Sequence, residues 1–316
     1  MNVFFTGGTG FFGRALLRYW SNESKHQPFQ VTVLSRNPEA FLSQFPEFSK
    51  LSWVTWCQGD ILDLSSFPAG QAFTHVLHAA TDSTAGPRLN VLERYDQIVT
   101  GTRNVLDFAV AVGAKRVLLT SSGGVYGQQP PEMDLIPETF HQIPDPLNPH
   151  TAYSMAKRAA EHLCGLYQSL FGIEPVIARC FAFVGPDLPL DAHFAIGNFI
   201  RDAIAGLDIV VSGDGTAIRS YLDQRDLAHW LHVLMVSGSA GRAYNVGSSQ
   251  PVSIRELASL VRDIVHPTGA VHVLGTPDPA HQKMRYVPDT HRAQSELGLR
   301  ESIMLADAIR YTTCHY

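Results

Sequence analysis

The first 180 residues alternate short apolar runs with longer stretches in which apolar residues recur every three or four positions. Runs of the first kind predict buried strands, and stretches of the second kind predict helices with one apolar face. The predicted strands are 3–5, 31–34, 51–57, 75–79, 116–120 and 175–178, and the predicted helices are 14–20, 91–112 and 151–171. Because helices separate the strands, the pattern predicts an α/β fold with a doubly wound parallel sheet.

The pattern changes after residue 185, where the elements become shorter and strands and helices mix. The predicted helices are 194–205, 224–236, 253–265 and a stretch ending near residue 311, and the predicted strands are 208–211, 218–222, 243–246 and 271–274. We interpret this part as a smaller mixed α/β region that lies over the edge of the sheet. The expected division is therefore residues 1–180 and residues 181–316, with some crossing of the chain between them.

A glycine-rich turn joins the first predicted strand to the first predicted helix. Gly7 permits a tight turn, Gly10 leaves the backbone free to approach a phosphate, and Gly13 lets the helix pack close to the sheet. The free N–H groups and the positive end of the helix dipole then face the anion. Because strand, turn and helix follow in this order, the sequence predicts a binding site for a dinucleotide pyrophosphate.

Composition excludes several other classes of protein. The chain has 316 residues, 45% of them hydrophobic, and a net charge of −5 without a basic block, so we expect no nucleic-acid partner. No run approaches the roughly 20 apolar residues that cross a membrane. The four cysteines are scattered and the histidines lack metal-ligand spacing, which favours a cytoplasmic protein with reduced thiols and no metal site.

Three residues indicate proton-transfer chemistry. Tyr153 and Lys157 stand four positions apart on a predicted helix, so both side chains lie on one face. A neighbouring cation favours the phenolate, which would lower the tyrosine pKa and make the pair an acid/base. Such a spacing alone is more often a surface pair. Ser122 changes that interpretation, because it follows the predicted strand 116–120 and its hydroxyl would lie at the same sheet edge.

Together these segments resemble the extended short-chain dehydrogenase/reductases, the family of NAD-dependent epimerases and dehydratases that act on nucleotide sugars. The matching segments are 6–13, 59–61, 78–80, 121–127, 153–157 and 213–223, and they occur in the family's order. The resemblance implies a Rossmann-type sheet over residues 1–180 that binds the dinucleotide. It also implies that residues 181–316 bind the nucleotide-diphosphate sugar.

The resemblance also implies roles for individual residues. Ser122, Tyr153 and Lys157 would be catalytic, with Lys157 also holding the nicotinamide ribose. The implied cofactor contacts are Gly7, Gly10, Phe11, Phe12, Gly13, Ser35, Arg36, Asp60, Ile61, Ala79, Ala80, Thr120, Tyr153 and Lys157. The implied substrate contacts are Ser122, Gly123, Asn198 and Arg219, with His281, Lys283 and Arg285 as open alternatives for a further contact to the diphosphate.

The chain departs from the family pattern at positions that bear on the reaction. Gly123 and Gly124 stand where 4,6-dehydratases carry an acidic pair, so elimination of water lacks its acid and base. Ser35 replaces the usual aspartate at the second strand, and Arg36 can neutralise a 2′-phosphate, which favours NADP(H) over NAD(H). Ala182 and Ile98 stand where asparagines are usual in the family: the contact of the first asparagine to the substrate phosphate must come from elsewhere or be missing, and Ile98 has no functional explanation.

These departures favour an NADP(H)-dependent 4-keto reductase that acts at C4 of a nucleotide-activated (deoxy)sugar. A nucleotide-sugar 4-epimerase remains an alternative, a 4,6-dehydratase is less favoured, and a non-catalytic protein with the same fold is a third class. Related enzymes pair the helices that correspond to 91–112 and 151–171 across a two-fold axis. The resemblance therefore implies a homodimer as well.

Overall fold

The computed structural model describes residues 1–23, 29–81, 89–192, 194–278 and 284–316. The strands in that part of the chain are β1 (Asn2–Thr6), β2 (Gln30–Ser35), β3 (Val54–Gln58), β4 (His75–His78), β5 (Arg116–Ser122), β6 (Glu174–Cys180), β7 (Phe183–Val184), β8 (Ile209–Val211), β9 (Ile218–Arg219), β10 (Leu222–Asp223), β11 (Arg242–Val246), β12 (Val252–Ser253), β13 (Val271–Val273) and β14 (Arg285–Tyr286). The helices there are α1 (Phe11–Glu23), α2 (Pro38–Gln44), α3 (Val91–Ala111), α4 (Ala152–Phe171), α5 (Ala195–Ile204), α6 (Gln224–Ser237), α7 (Ile254–Val265), α8 (His291–Leu297) and α9 (Leu305–Thr313).

Seven strands form one parallel sheet in the order β11-β6-β5-β4-β1-β2-β3. The chain runs from β1 outward to β2 and β3, then returns to place β4 on the other side of β1. The direction of winding therefore reverses between β1 and β4. This is the doubly wound, Rossmann-like parallel sheet that the sequence predicts.

Helices cover both faces of the sheet because both faces are apolar. In β1, Phe4 and Phe5 point to opposite faces, and both are fully buried. Phe4 belongs to the cluster that includes Val105 of α3 and Ala160 of α4. Phe5 belongs to the cluster that includes Leu16 of α1 and other residues of the second half of the chain. Helix α1, which follows the glycine turn, and helix α4, which carries Tyr153 and Lys157, therefore pack on apolar cores.

The second half of the chain builds small separate sheets beside the large one. Strand β7 pairs with β10, β9 pairs with β12 and β14, and β8 pairs with β13. The predicted strand 218–222 is thus two short strands in different sheets. The predicted strand 243–246 is β11, which forms the edge of the main sheet beside β6. The chain crosses back at this point, and the functional division near residue 180 stays a prediction.

The carboxyl ends of the central strands lie side by side. Thr6 at the end of β1 is paired with His78 at the end of β4, and Ser122 at the end of β5 is paired with Cys180 at the end of β6. Ligands of open α/β sheets bind outside these strand ends, where the strand order reverses. The functional site is therefore expected at this edge.

Candidate active site

Two adjoining cavities occupy the carboxyl edge of the sheet. The larger has a volume of about 650 Å³ and the smaller about 380 Å³, and both are bordered by Gly7, Gly10, Ala79 and Thr81. The larger cavity extends toward β5, α4 and the second half of the chain, whereas the smaller follows the end of β2. One elongated ligand could therefore lie across the glycine turn with an end in each cavity.

The three glycines of the turn serve different purposes. Gly7 has a φ of +84°, and a Cβ there would lie 2.5 Å from the Ala79 carbonyl carbon. A Cβ on Gly13 would lie 2.3 Å from backbone atoms of Gly8, so Gly13 allows α1 to pack and lines neither cavity. A Cβ on Gly10 would meet only the Gly7 carbonyl oxygen, at 3.5 Å, and would point into the cleft.

The cleft fits a dinucleotide. Gly10 leaves open a space that protein packing does not need, at the start of α1, where N–H groups and the helix dipole favour a phosphate. Among the sequence-predicted contacts, those that line the smaller cavity are Ser35, Arg36, Asp60, Ile61, Ala79 and Ala80. Those that line the larger cavity include Phe11, Phe12, Thr120, Tyr153 and Lys157.

Ser122 is held at the junction of a strand and a tight turn. It ends β5, and its hydroxyl oxygen accepts a hydrogen bond of 3.1 Å from the N–H of Gly124, which lies in the first turn of a short 3-10 segment. The phenols of Tyr153 and Tyr286 lie beside the same hydroxyl, which favours the ionised form of each. The three hydroxyl groups thus converge on one point of the cavity wall.

Lys157 is buried one turn after Tyr153 on α4. Its Nζ donates to the Thr120 carbonyl and to the Thr81 hydroxyl, each at 2.9 Å. Burial lowers the pKa of Lys157 to about 8, because the ammonium loses most of its hydration. The side chain therefore links the end of β4 to the end of β5. Its charged form is unfavourable there because the ammonium is desolvated.

The structure corrects the expected electrostatics of Tyr153. Burial raises the pKa of the phenol, the opposite of the expected lowering by Lys157. The charge of Arg94 and the hydrogen bond with Ser122 act in the other direction and favour the phenolate. The Arg94 guanidinium lies 4.4 Å from the centre of the Tyr153 ring, whereas Lys157 Nζ lies 5.9 Å away. Of these two cations, Arg94 therefore lies nearer to the phenol ring.

A partly buried ion pair fixes α4 against the strands that carry the site. The Glu161 carboxylate accepts a hydrogen bond of 2.6 Å from the Ser121 hydroxyl. It also accepts bonds of 3.0 and 2.7 Å from Nε and Nη2 of Arg179 on β6. Bidentate pairs of this kind fix orientation as well as distance. Since Ser121 precedes Ser122 and Glu161 follows Lys157 by one turn, this pair helps to position the predicted catalytic residues.

Several sequence-predicted substrate residues lie elsewhere. Arg219 lines the larger cavity, as expected for a substrate contact. Gly123 does not line it, because a Cβ there would lie 2.6 Å from the Tyr286 hydroxyl and 2.7 Å from the Phe181 ring. Asn198 on α5 also lies off the cavity wall, where its side-chain oxygen accepts a bond of 3.2 Å from Arg201.

Of the residues to which the sequence assigns no definite role, the structure describes Arg285, Ile98 and Ala182. Arg285 donates a bond of 2.8 Å to the Asp134 carbonyl and is absent from the cavity wall. His281 and Lys283 lie outside the described residues. Ile98 is a core residue of α3 with 1% of its surface exposed, and Ala182 lines the larger cavity.

Sequence reasoning missed Arg94, Tyr286 and Thr81, all of which line the larger cavity. Arg94 lies within the predicted helix 91–112, and only packing against α4 brings it to Tyr153. Tyr286 lies on β14, next to Arg285, and stacks on Phe181 with the ring centres 4.6 Å apart. No local sequence signal marks either residue, because both reach the site through contacts between distant segments.

The described part of the chain holds no group of three or more His, Cys, Asp or Glu side chains arranged to bind a metal ion. Among the helices described above, none combines the length and the apolar character that a membrane span requires.

Comparison with known proteins identifies the architecture. The model of the NAD-dependent epimerase/dehydratase family matches residues 3–247. UDP-glucuronic acid decarboxylase 5 of Arabidopsis thaliana is 27% identical over 98% of this chain and 87% of its own length. UDP-glucuronic acid decarboxylase 3 of the same plant is 33% identical over 67% of this chain and 60% of its own length.

Solved structures of low sequence identity share the fold over almost the whole chain. UDP-glucose 4-epimerase of Thermotoga maritima, solved with UDP-glucose, is 20% identical, with a TM-score of 0.83 over 100% of this chain and 98% of that one. The dTDP-glucose 4,6-dehydratase DesIV of Streptomyces venezuelae, solved with NAD, is 23% identical, with a TM-score of 0.83 over 100% of this chain and 97% of that one.

Proposed function

Because the chain belongs to the NAD-dependent epimerase/dehydratase family, we propose that it catalyses hydride transfer at C4 of a nucleotide-diphosphate sugar. We propose further that its net reaction is the NADPH-dependent reduction of a 4-keto (deoxy)sugar. The observation that carries the proposal is the convergence of Ser122, Tyr153 and Lys157 on the wall of a cavity that continues past the glycine turn. A bound nicotinamide would supply the hydride.

The raised pKa of Tyr153 is compatible with a role as proton donor. A phenol that is protonated at neutral pH can donate its proton to the C4 oxygen as negative charge develops there. The Ser122 hydroxyl, which lies beside the same phenol, can donate a second hydrogen bond to that oxygen. Lys157 would hold the hydroxyl groups of the neighbouring ribose, since its Nζ lies at the boundary of the two cavities beside Thr81.

The smaller cavity supports the preference for a 2′-phosphate. Arg36 is exposed at its rim, next to Ser35. Its side chain forms no ion pair within the described ranges of the chain, so the guanidinium is available to an anion. A phosphate there would form charge-assisted hydrogen bonds with it. Aspartate in place of Ser35 would repel the same phosphate.

The remaining expectations complete the proposal. Residues 1–180 would hold the dinucleotide and residues 181–316 the sugar nucleotide, with Arg219 on its diphosphate. Helices α3 and α4 would pair with their copies in a homodimer, since apolar side chains such as Leu92, Leu166 and Leu170 are exposed on them. The free cysteines, none of them in a disulfide in the described chain, agree with a cytoplasmic location.

The test is a set of three reactions with the purified protein. A 4-keto nucleotide sugar with NADPH should consume one reduced cofactor per sugar, followed by the near-ultraviolet absorbance of the reduced nicotinamide. Tyr153→Phe should lower that rate by about 10²–10⁴-fold. Interconversion of two hydroxy sugars without net use of cofactor would assign a 4-epimerase instead.

The third reaction uses a nucleotide uronate with oxidised cofactor. Oxidation at C4 would place a ketone β to the C6 carboxylate, so release of carbon dioxide would assign a decarboxylase. Tight cofactor binding without turnover of any nucleotide sugar would contradict the proposal and favour a non-catalytic protein with this fold.

A further inference from the structure

We propose that Tyr286 positions the Ser122 hydroxyl: its phenol donates a hydrogen bond to Ser122 Oγ, and the Ser122 proton is thereby directed to the C4 oxygen of the sugar. The inference rests on the proposed function, because it takes Ser122 and Tyr153 as the groups that contact that oxygen. It concerns a residue of β14 to which the sequence and the family resemblance assign no role.

The Ser122 hydroxyl can form only a few hydrogen bonds. A serine hydroxyl has two lone pairs that accept and one proton that is donated, and the proton rotates to suit its surroundings. The Gly124 N–H occupies one lone pair, at 3.1 Å. Within the described residues, one lone pair and the proton therefore remain for the phenols of Tyr153 and Tyr286, which lie beside this hydroxyl.

The proposed reaction assigns these two remaining positions. Tyr153 gives its proton to the C4 oxygen, so that proton is not available to Ser122. The second lone pair of Ser122 is then filled by the phenol of Tyr286, and a hydroxyl with both lone pairs occupied can only donate. Because all three hydroxyl groups line the larger cavity, the acceptor for the Ser122 proton is the C4 oxygen of the bound sugar.

The protonation state of Tyr286 suits it to be the donor of that bond. Burial raises the pKa of its phenol, and negative charge on Tyr153 raises it further, whereas the smaller effect of Ser122 acts in the other direction than burial. The phenol therefore keeps its proton at neutral pH, also after Tyr153 has transferred its own. A group that stays protonated throughout turnover acts as a donor and not as a base.

The Tyr286 phenol is held at a fixed place beside Ser122. Its ring stacks on Phe181, with the ring centres 4.6 Å apart. Strand β14 pairs with β9, which places Tyr286 opposite Arg219. A Cβ on Gly123 would lie 2.6 Å from the Tyr286 hydroxyl, so the phenol occupies the space that a side chain directly after Ser122 would need.

Two other roles for Tyr286 would give different results. A purely structural role would depend on the ring, which phenylalanine keeps, and not on the hydroxyl. A direct hydrogen bond from Tyr286 to the sugar would contribute whether or not the Ser122 hydroxyl is present. Only a role that acts through Ser122 disappears when that hydroxyl is removed, so a double-mutant cycle separates the three roles.

The experiment measures kcat for the NADPH-dependent reduction of 4-keto-6-deoxyglucose, linked to dTDP or to UDP, by wild type, Tyr286→Phe, Ser122→Ala and the double variant. We expect Tyr286→Phe to lower kcat about 10-fold, the effect of one hydrogen bond. Ser122→Ala should lower kcat about 100-fold or more, as for loss of a donor to the developing oxyanion. The double variant should match Ser122→Ala within about 2-fold, because the phenol then has no hydroxyl to orient.

Binding measurements separate positioning from damage to the site. In Tyr286→Phe the affinities for NADPH, dTDP and UDP should change by less than about 3-fold. Tyr311→Phe is the matched control for the exchange of a tyrosine for phenylalanine, since Tyr311 lies on α9 and is absent from the described walls of both cavities. It should leave kcat and all three affinities unchanged.

An unchanged kcat in Tyr286→Phe would overturn the inference, as would a further 10-fold loss when this change is added to Ser122→Ala. If the wild-type protein interconverts hydroxy sugars instead, the same cycle is measured on that rate with the same two deciding results, because the C4 oxygen again lies at Ser122. Absence of hydride transfer with every nucleotide sugar would overturn the proposed function, and this inference with it.

Discussion

Replacing Lys157 by methionine should abolish function while leaving the fold nearly as stable as before. The ordinary pKa of a lysine is 10.5, and burial lowers that of Lys157 to about 8. This difference means that the protein holds the charged form at neutral pH against a cost of about 3 kcal/mol. Methionine removes that cost and fills a similar volume.

The substitution also removes two hydrogen bonds. The Thr120 carbonyl and the Thr81 hydroxyl each lose a donor at 2.9 Å. Leaving buried groups unpaired costs about 1–3 kcal/mol. The two effects nearly cancel, so the free energy of unfolding at neutral pH should stay within about 2 kcal/mol of the wild-type value. Hydride transfer should fall by at least about 100-fold, as for loss of a positioned catalytic group.

The pH dependence supplies a sharper test. Between about 8 and 10.5 the unfolded chain keeps the proton on Lys157 while the folded protein loses it. Stability rises with pH wherever the unfolded state binds more protons. The wild-type protein should therefore gain up to about 3 kcal/mol relative to Lys157→Met across this interval.

Denaturant unfolding of the nucleotide-free protein, at neutral pH and at a pH between the two values, measures this gain. Lys115→Met, at an exposed position, controls for the exchange of a lysine for methionine. A stability difference between wild type and Lys157→Met that stays constant with pH would refute the reasoning. So would a loss of more than about 4 kcal/mol at neutral pH.

Three other predictions address the fold, the cofactor and the assembly. Gly13→Ala should lower the free energy of unfolding by about 1–3 kcal/mol, because its Cβ would lie 2.3 Å from Gly8; unchanged denaturant midpoints would contradict this. Arg36→Ala should weaken NADP⁺ binding about 10-fold and leave NAD⁺ affinity unchanged in fluorescence titrations, and an equal effect on both would exclude recognition of the 2′-phosphate. Light scattering at micromolar concentration should give twice the chain mass of 34.7 kDa, whereas a monomeric mass would exclude pairing through α3 and α4.

The sequence predicts the main sheet well, because its signals are local. Buried strands such as β1 are continuous apolar runs, and the glycine turn after Thr6 stands between a predicted strand and a predicted helix, which is the context that a dinucleotide site requires. Tyr153 and Lys157 share a helix face by virtue of the α-helical period alone. The position of Ser122 could be predicted because the carboxyl ends of parallel strands lie at one edge of the sheet.

The contacts between distant segments could not be predicted from local sequence signals. Arg94 reaches Tyr153 through the packing of α3 on α4, and Tyr286 reaches Ser122 through the pairing of β14 with β9. The sequence predicts a lowered pKa for Tyr153, whereas burial raises it, because spacing reports proximity and says nothing of burial. Asn198 lies on a correctly predicted helix, but the helix presents it to Arg201 and not to the cavity.

The turn after β1 separates folding from ligand recognition within a few residues. A methyl group at Gly10 would meet no protein atom closer than 3.5 Å, yet it would project into the cleft. A Gly10→Ala variant should therefore fold normally but fail to bind the dinucleotide. Such a variant would allow the affinity for the sugar nucleotide to be measured without bound cofactor.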